Sequence, residues 1–157
     1  MKKKNKIWIS VIGGAIASPG ILDDARQVGK LLAQSDAVVV CGGLCGVMEA
    51  VSAGAKEADG TVIGILPSDR RNDANEYVDI AIPTGLGIAR NLLVVRAGDA
   101  VIAIDGKWGT RSEIALAKSI GKYIVGLHIK GIDGIIKAKT PADAVKKALT
   151  AAKNQRE

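Results

Sequence analysis

Short, largely apolar runs of strand length recur along this chain, and nearly every one leads through a turn into a segment with helical spacing. Ile7 to Ile12, Ala37 to Cys41, Thr61 to Leu66, Ala100 to Ile104 and Tyr123 to Leu127 are the main runs, with Val78 to Ile82 a shorter one. A strand without polar alternation must be buried on both faces, and parallel strands covered by crossover helices satisfy that demand. The predicted fold class is therefore α/β: a Rossmann-like, three-layer α/β/α fold with a mostly parallel sheet. Composition fits such a core, because Phe is absent and aromatic residues make up only 3% of a chain that is 48% hydrophobic, so Val, Ile, Leu and Ala must fill it.

The spacing predicts helices between the runs. Leu22 to Gln34 places Leu22, Ala25, Val28, Leu31 and Leu32 three or four apart, with Asp23 and Asp24 in the first turn and Gly13 to Gly20 as the preceding loop. Val47 to Ala58, Ile88 to Arg96 and Ser112 to Ile120 read as further helices, and Pro67 to Glu76 as an exposed loop. Thr140, Pro141 and Asp143 mark the start of a last helix, with Thr140 as N-cap and Pro141 at the first helical position. At 157 residues the expectation is one domain over 1–157, with a basic tail at 1–5 and a C-terminal tail at 154–157.

Several function classes lose their support here. The formal charge of +6 sits largely in Lys2, Lys3, Lys4 and Lys6 and in a C-terminal cluster, without interleaved aromatics to stack on bases, so nucleic-acid binding is not expected. No apolar stretch reaches membrane-spanning length, and no signal-peptide pattern precedes the first run. Cys41 and Cys45 form neither a disulfide framework nor a usual zinc pair, so a reducing, cytoplasmic setting and no metal site are expected. His128, the sole histidine, has no acid or cysteine beside it in sequence and reads as structural.

In a parallel sheet the ligand crevice lies beyond the carboxyl ends of the strands. Three loops there carry the unusual residues: Gly13 to Gly20, Cys41 to Gly46, and Asp105 to Thr110. Glycines let backbone amides approach an anion, and the helix behind each loop favours negative charge. Lys107 adds a cation beside Gly106 and Gly109, and Trp108 a ring that can stack on a planar ligand. Thr110 to Glu113 matches a capping box, in which Glu113 satisfies the Thr110 amide. Arg90 is suited to clamp a phosphate, whereas Arg96 reads as a solvated residue.

Four segments taken together, Gly42-Gly43-x-x-Gly46-Val47-Met48-Glu49-Ala50, Gly60 to Pro67, Ala89-Arg90-Asn91 and Gly106-x-x-Gly109-Thr110-x-x-Glu113, resemble the Lonely-guy superfamily in order and spacing. That superfamily includes proteins long labelled lysine decarboxylases, cytokinin-activating nucleoside-monophosphate phosphoribohydrolases, and a molybdenum cofactor carrier branch. No lysine here stands in a pyridoxal-phosphate context, so decarboxylation is not expected. In the phosphoribohydrolases an Arg-Lys pair precedes Pro-Gly-Gly-x-Gly-Thr-x-x-Glu. Arg90 and Glu113 match its two acting positions, whereas Asn91 replaces the Lys and Asp105-Gly106-Lys107 replaces Pro-Gly-Gly. These departures turn the resemblance toward the carrier-like branch.

The resemblance and the loops together imply a chain that binds a phosphorylated nucleotide-like or pterin-type ligand, a nucleoside monophosphate or a molybdopterin-type cofactor, as a carrier. The residues expected at the ligand are Gly13, Gly14, Gly42, Gly43, Gly46, Val47, Met48, Arg90, Gly106, Lys107, Trp108, Gly109, Thr110 and Glu113. The alternatives are a phosphoribohydrolase with Arg90 and Glu113 catalytic, and a module that senses a nucleotide for a partner. Relatives imply a homodimer or homotetramer.

Overall fold

The computed structural model describes residues 5–156. In chain order the elements are β1 (Trp8–Gly13), α1 (Pro19–Gln34), β2 (Val38–Cys41), α2 (Val47–Glu57), β3 (Val62–Leu66), β4 (Ile80–Pro83), α3 (Asn91–Ala97), β5 (Ala100–Ile104), α4 (Trp108–Ser119), β6 (Ile124–Leu127), β7 (Ile136–Ala138) and α5 (Pro141–Arg156). Single 3-10 turns occupy Arg71–Asp73 and Gly87–Arg90. The strands form one sheet in the order β4-β3-β2-β1-β5-β6-β7, and every pairing is parallel. This is the Rossmann-like α/β/α architecture that the apolar runs predict. Strand order reverses between β1 and β5, which makes the carboxyl ends of those two strands the topological switch point.

Alternate residues of each central strand feed two cores. Ile9, Val11, Val39, Cys41, Ile102 and Ile104 pack beneath α1, α2 and α5, whereas Ile12, Val38, Val40, Val101 and Ala103 pack beneath α3 and α4. Ser10 is the polar exception on β1, and it is fully satisfied: its hydroxyl donates to the Val94 carbonyl at 2.6 Å and accepts from the Gly98 amide at 2.9 Å. That pair of bonds fixes the turn between α3 and β5 against the central strand.

Four differences from the sequence reading have clear physical reasons. First, α1 begins at Pro19 rather than Leu22, because proline's fixed φ suits the first helical position and Ser18 accepts the first helical bond from Leu22 at 3.0 Å. Asp23 and Asp24 therefore lie beyond the first turn. Second, β4 starts at Ile80, because the Val78 amide closes a turn on the Asn75 carbonyl at 3.2 Å, while the Asp79 carboxylate receives the Val62 amide at 2.8 Å and the Lys56 ammonium at 2.7 Å. Third, β7 has no counterpart among the predicted strands: three residues at a sheet edge leave too little periodicity to read, and pairing of Ile136 with Val125 creates the strand. Fourth, 154–156 are not a tail. The helix continues to Arg156, whose guanidinium donates to the Asn5 carbonyl at 2.8 Å and to Asp99 at 2.7 Å, tying the chain's two ends together. Of the basic tail, residues 1–4 lie outside the described residues.

The start of α5 is as predicted. Thr140 Oγ1 accepts the Asp143 amide at 3.1 Å, and Asp143 in turn accepts the Lys139 amide at 3.0 Å.

Candidate functional site

At the switch point a cleft of about 440 Å³ opens, lined by Gly13 at the end of β1, Gly14, Ala15 and Ile16 after it, Met48 of α2, Arg90 and Asn91 at the start of α3, and Lys107, Gly109, Thr110 and Glu113 around the start of α4. This volume lies within the usual range for small-molecule sites, roughly 300–1,000 Å³. A smaller hollow of about 290 Å³ between α5 and β7 includes none of the predicted site residues.

The cleft is polarised from floor to rim. Arg90, Asn91, Thr110 and Glu113 are the buried polar residues of the floor, whereas Ala15, Ile16, Lys107 and Gly109 are exposed at the rim. Lys107 Nζ donates to the Ile16 carbonyl at 2.8 Å and so joins the loops after β1 and β5 across the mouth.

Helix periodicity explains how Glu113 reaches the floor. Lys107 is the N-cap of α4, and Thr110, Glu113, Ile114 and Ala117 form its buried face. The expected capping box between Thr110 and Glu113 does not form, because the helix starts at Trp108, two residues before Thr110, and leaves both side chains turned inward. Thr110 Oγ1 is buried without a hydrogen-bond partner. No hydrogen bond to Glu113 is found among the described residues, although the residue is only 9% exposed.

Arg90 is held on the opposite side of the floor. Its guanidinium donates to the Asn91 side-chain carbonyl and, at 3.4 Å, to the Gly42 carbonyl, and its Nε is left buried without a partner. Arg96, by contrast, is exposed, as predicted. Burial pushes the Glu113 carboxyl up to about 7 despite the opposing pull of the Arg90 charge. Burial likewise draws the Arg90 guanidinium down, with Glu113 opposing. No ion pair joins the two among the described residues, although their charges interact and both line the cleft.

The predicted site residues divide. Gly13, Gly14, Met48, Arg90, Lys107, Gly109, Thr110 and Glu113 meet in one cleft. Gly42, Gly43, Gly46, Val47, Gly106 and Trp108 do not line it. The Gly42-to-Gly46 turn serves packing: a Cβ on Gly46 would lie 2.4 Å from the Gly14 carbonyl, and one on Gly43 2.7 Å from Leu66. Within it the Gly43 amide donates to Cys41 Sγ at 3.4 Å, and the Val47 amide just after it donates to the Gly14 carbonyl at 3.0 Å. Gly106 is clamped from outside, where Arg111 Nε donates to its carbonyl at 2.7 Å. Trp108, 88% exposed, stands outside the cleft.

Sequence reasoning missed Asn91, Ala15 and Ile16. Asn91 was visible only as a departure from a family motif, and its hold on Arg90 emerges only when the 3-10 turn runs into α3. His128 is a second correction: it does have an acidic neighbour, Asp24 at 2.6 Å, brought in by α1 from 104 residues away. Cys41 packs as predicted, and burial pushes its thiol up. The loop after β3 does not line the cleft, and it is anchored by Asn75, whose amide and side chain donate to the Gly43 and Leu44 carbonyls, each at 2.8 Å.

Among the described residues no helix is long and apolar enough to cross a membrane. An uncharacterised protein of Archaeoglobus fulgidus is 42% identical over 139 residues, covering 87% of this chain and 91% of that protein. Among solved structures, the molybdenum cofactor binding protein of the phototrophic bacterium Rippkaea orientalis superposes with a TM-score of 0.89 at 37% identity, over 94% of this chain and 98% of that one. The molybdenum cofactor carrier protein of Chlamydomonas reinhardtii does so with a TM-score of 0.83 at 32% identity, over 93% and 99%. The family model described as SLOG cluster4 matches residues 6–156, so with the glycine motifs, the parallel sheet and these relatives in agreement, the chain belongs to the SLOG cluster4 family.

Proposed function

We propose that this chain is a carrier that holds a molybdopterin-type, phosphorylated cofactor in the cleft at the β1/β5 switch point. The observation that carries the reading is the unpaired polar floor: Arg90 Nε and Thr110 Oγ1 are both buried without partners, beside a Glu113 carboxyl that also lines the cleft. Orphaned buried polar atoms are costly, about 1–3 kcal/mol each, and a bound polar ligand relieves that cost. The rim suits a phosphate, with Gly13 and Gly14 at the end of β1, the exposed Lys107, and the first turn of α4 opening through Gly109. The named cargo of the solved relatives has this ring-and-phosphate chemistry, and self-association as a homodimer or homotetramer belongs to the same reading.

The test is retention. Protein incubated without oxygen with molybdenum cofactor released from a molybdoenzyme is expected to elute with about one pterin per chain, measured after oxidation to a fluorescent product. Lys107→Ala, an exposed rim change, is expected to weaken retention about tenfold, the effect of a lost charge-assisted contact. Wild-type protein that elutes free of pterin at stoichiometric loading overturns the reading.

One observation favours a second reading. A buried carboxyl near pH 7 beside an arginine suits general acid work, and Glu113 with Arg90 provides that pair for cleaving an N-glycosidic bond of a nucleoside monophosphate. This reading expects free adenine from AMP, abolished in Glu113→Gln; intact AMP after prolonged incubation with the wild-type protein removes it.

A further inference from the structure

The floor and the rim of the cleft differ in what they can recognise, and the difference assigns an orientation to the ligand. Glu113 offers two acceptor oxygens when ionised, with no hydrogen bond to them found among the described residues. Arg90 Nε offers a donor, and Thr110 Oγ1 a donor or acceptor, both without partners. A phosphate brings acceptors only. At the floor it would satisfy Arg90 and Thr110 and set its charge against the Glu113 carboxylate, whereas at the rim it meets Lys107 and glycine backbone, with no carboxylate among the rim residues.

A ligand ring for this floor must present two adjacent N–H groups to one carboxylate and a carbonyl or ring nitrogen to a neighbouring donor. A 2-amino-4-oxo pyrimidine ring does this: its ring N–H and exocyclic amine lie side by side, with the carbonyl next to them. An adenine edge does not, because its ring nitrogen sets a lone pair against one carboxylate oxygen. We propose that Glu113, Arg90 and Thr110 read the 2-amino-4-oxo pyrimidine edge shared by pterins and guanine, with the ring at the floor and the ligand's phosphate at the Gly14 and Lys107 rim. This rests on the ring-and-phosphate ligand proposed above and adds which end enters first and which atoms are recognised.

Asn91 has a positioning part in this scheme. Its side-chain carbonyl and the Gly42 carbonyl each take one N–H of the terminal nitrogens of Arg90, which leaves Nε as the guanidinium nitrogen without a partner. A lysine at this position would bring a second cation to the floor and no acceptor for the guanidinium.

Calorimetric titration above pH 8, where Glu113 is ionised, with neopterin monophosphate, GMP, 2′-deoxy-GMP, IMP and AMP separates the possibilities. The expected result is that GMP and 2′-deoxy-GMP bind equally, while IMP, which lacks the exocyclic amine, and AMP bind at least about tenfold more weakly, the effect of a lost hydrogen bond to a charged group. Neopterin monophosphate is expected to bind at least as well as GMP; if only the pterin binds, a tenfold loss in Glu113→Gln still marks edge recognition. Glu113→Gln is also expected to erase the preference for GMP over AMP, since an amide offers one donor beside one acceptor, and this change of ranking is one that a merely loosened fold does not produce.

Equal binding of GMP, IMP and AMP, or a loss confined to 2′-deoxy-GMP, overturns the proposal, the latter because it would place a ribose diol on Glu113. Failure of the carrier reading looks different, as wild-type protein that does not retain molybdenum cofactor. Cofactor retained equally by wild type and Glu113→Gln leaves the carrier reading standing and removes the edge recognition.

Discussion

Gly54→Ala is expected to destabilise the protein by about 4 kcal/mol, at the top of the range for single substitutions. The cause is the crossing of α1 and α2, the most extensive helix pairing in the fold. A Cβ at Gly54 would lie 1.8 Å from the Arg26 carbonyl oxygen, and one at Gly29 would lie 1.9 Å from the Val51 carbonyl oxygen. The obstructing atoms are backbone on both sides, so no side chain can rotate away. The helices must separate by more than about 1 Å to restore ordinary contact distance. Separation loosens Ala25, Val28 and Leu32 from Val51 and Ala55, which share one core. Alanine's better helix propensity returns only about 1 kcal/mol, so the steric effect wins.

Against a total stability of about 5–15 kcal/mol, such a loss brings the variant close to unfolding. Urea denaturation of Gly54→Ala and Gly29→Ala measures it. Gly20→Ala is the control: nothing lies within 4 Å of its added Cβ, and stability is expected to stay within about 0.5 kcal/mol of wild type. A Gly54→Ala midpoint matching the control would show that the helices do not cross this closely.

Glu113→Gln is expected to stabilise the ligand-free protein at alkaline pH by about 3 kcal/mol and to leave it unchanged below pH 4. The carboxyl titrates at 4.5 in the unfolded chain and at about 7 in the fold, because burial disfavours its charged form. Between those values the folded state binds more protons than the unfolded state, so stability falls as pH rises. The rise from 4.5 to about 7 corresponds to about 3 kcal/mol, lost progressively from about pH 4.5 and fully gone above about pH 8. Glutamine keeps the shape and removes the titration, which deletes this part of the pH dependence. Thermal melts of both proteins from pH 4 to 9 test it, and parallel curves across that range would show that the carboxyl is solvated in solution.

Glu113 also shows where sequence legibility ended. Its helix was readable, and so was its place near a strand end. The Thr110-to-Glu113 spacing matched a capping box, a local pattern with a local explanation. The helix instead begins at Trp108, and the same spacing becomes one stripe of an inward face. The glycines of 42–46 show a second limit. Their clustering signals close approach, and only the packed fold shows that Gly14, Ala15, Leu66 and Gly64 are among the groups approached. Sequence shows that a backbone needs room without showing what fills it.

Some features are written in local order: apolar runs long enough for buried strands, helical spacing between them, the Thr140 cap, and glycine turns at strand ends. These follow from neighbouring residues alone, so the chain by itself determined a parallel α/β sheet and named most of the cleft. The tertiary structure decided the rest: the reversal of strand order at β1 and β5, the grip of Asn91 on Arg90, the meeting of Asp24 with His128, and the isolation of Glu113 at the floor. Each of these depends on how segments distant in sequence pack around it, and that is a property of the packed molecule rather than of any stretch of it.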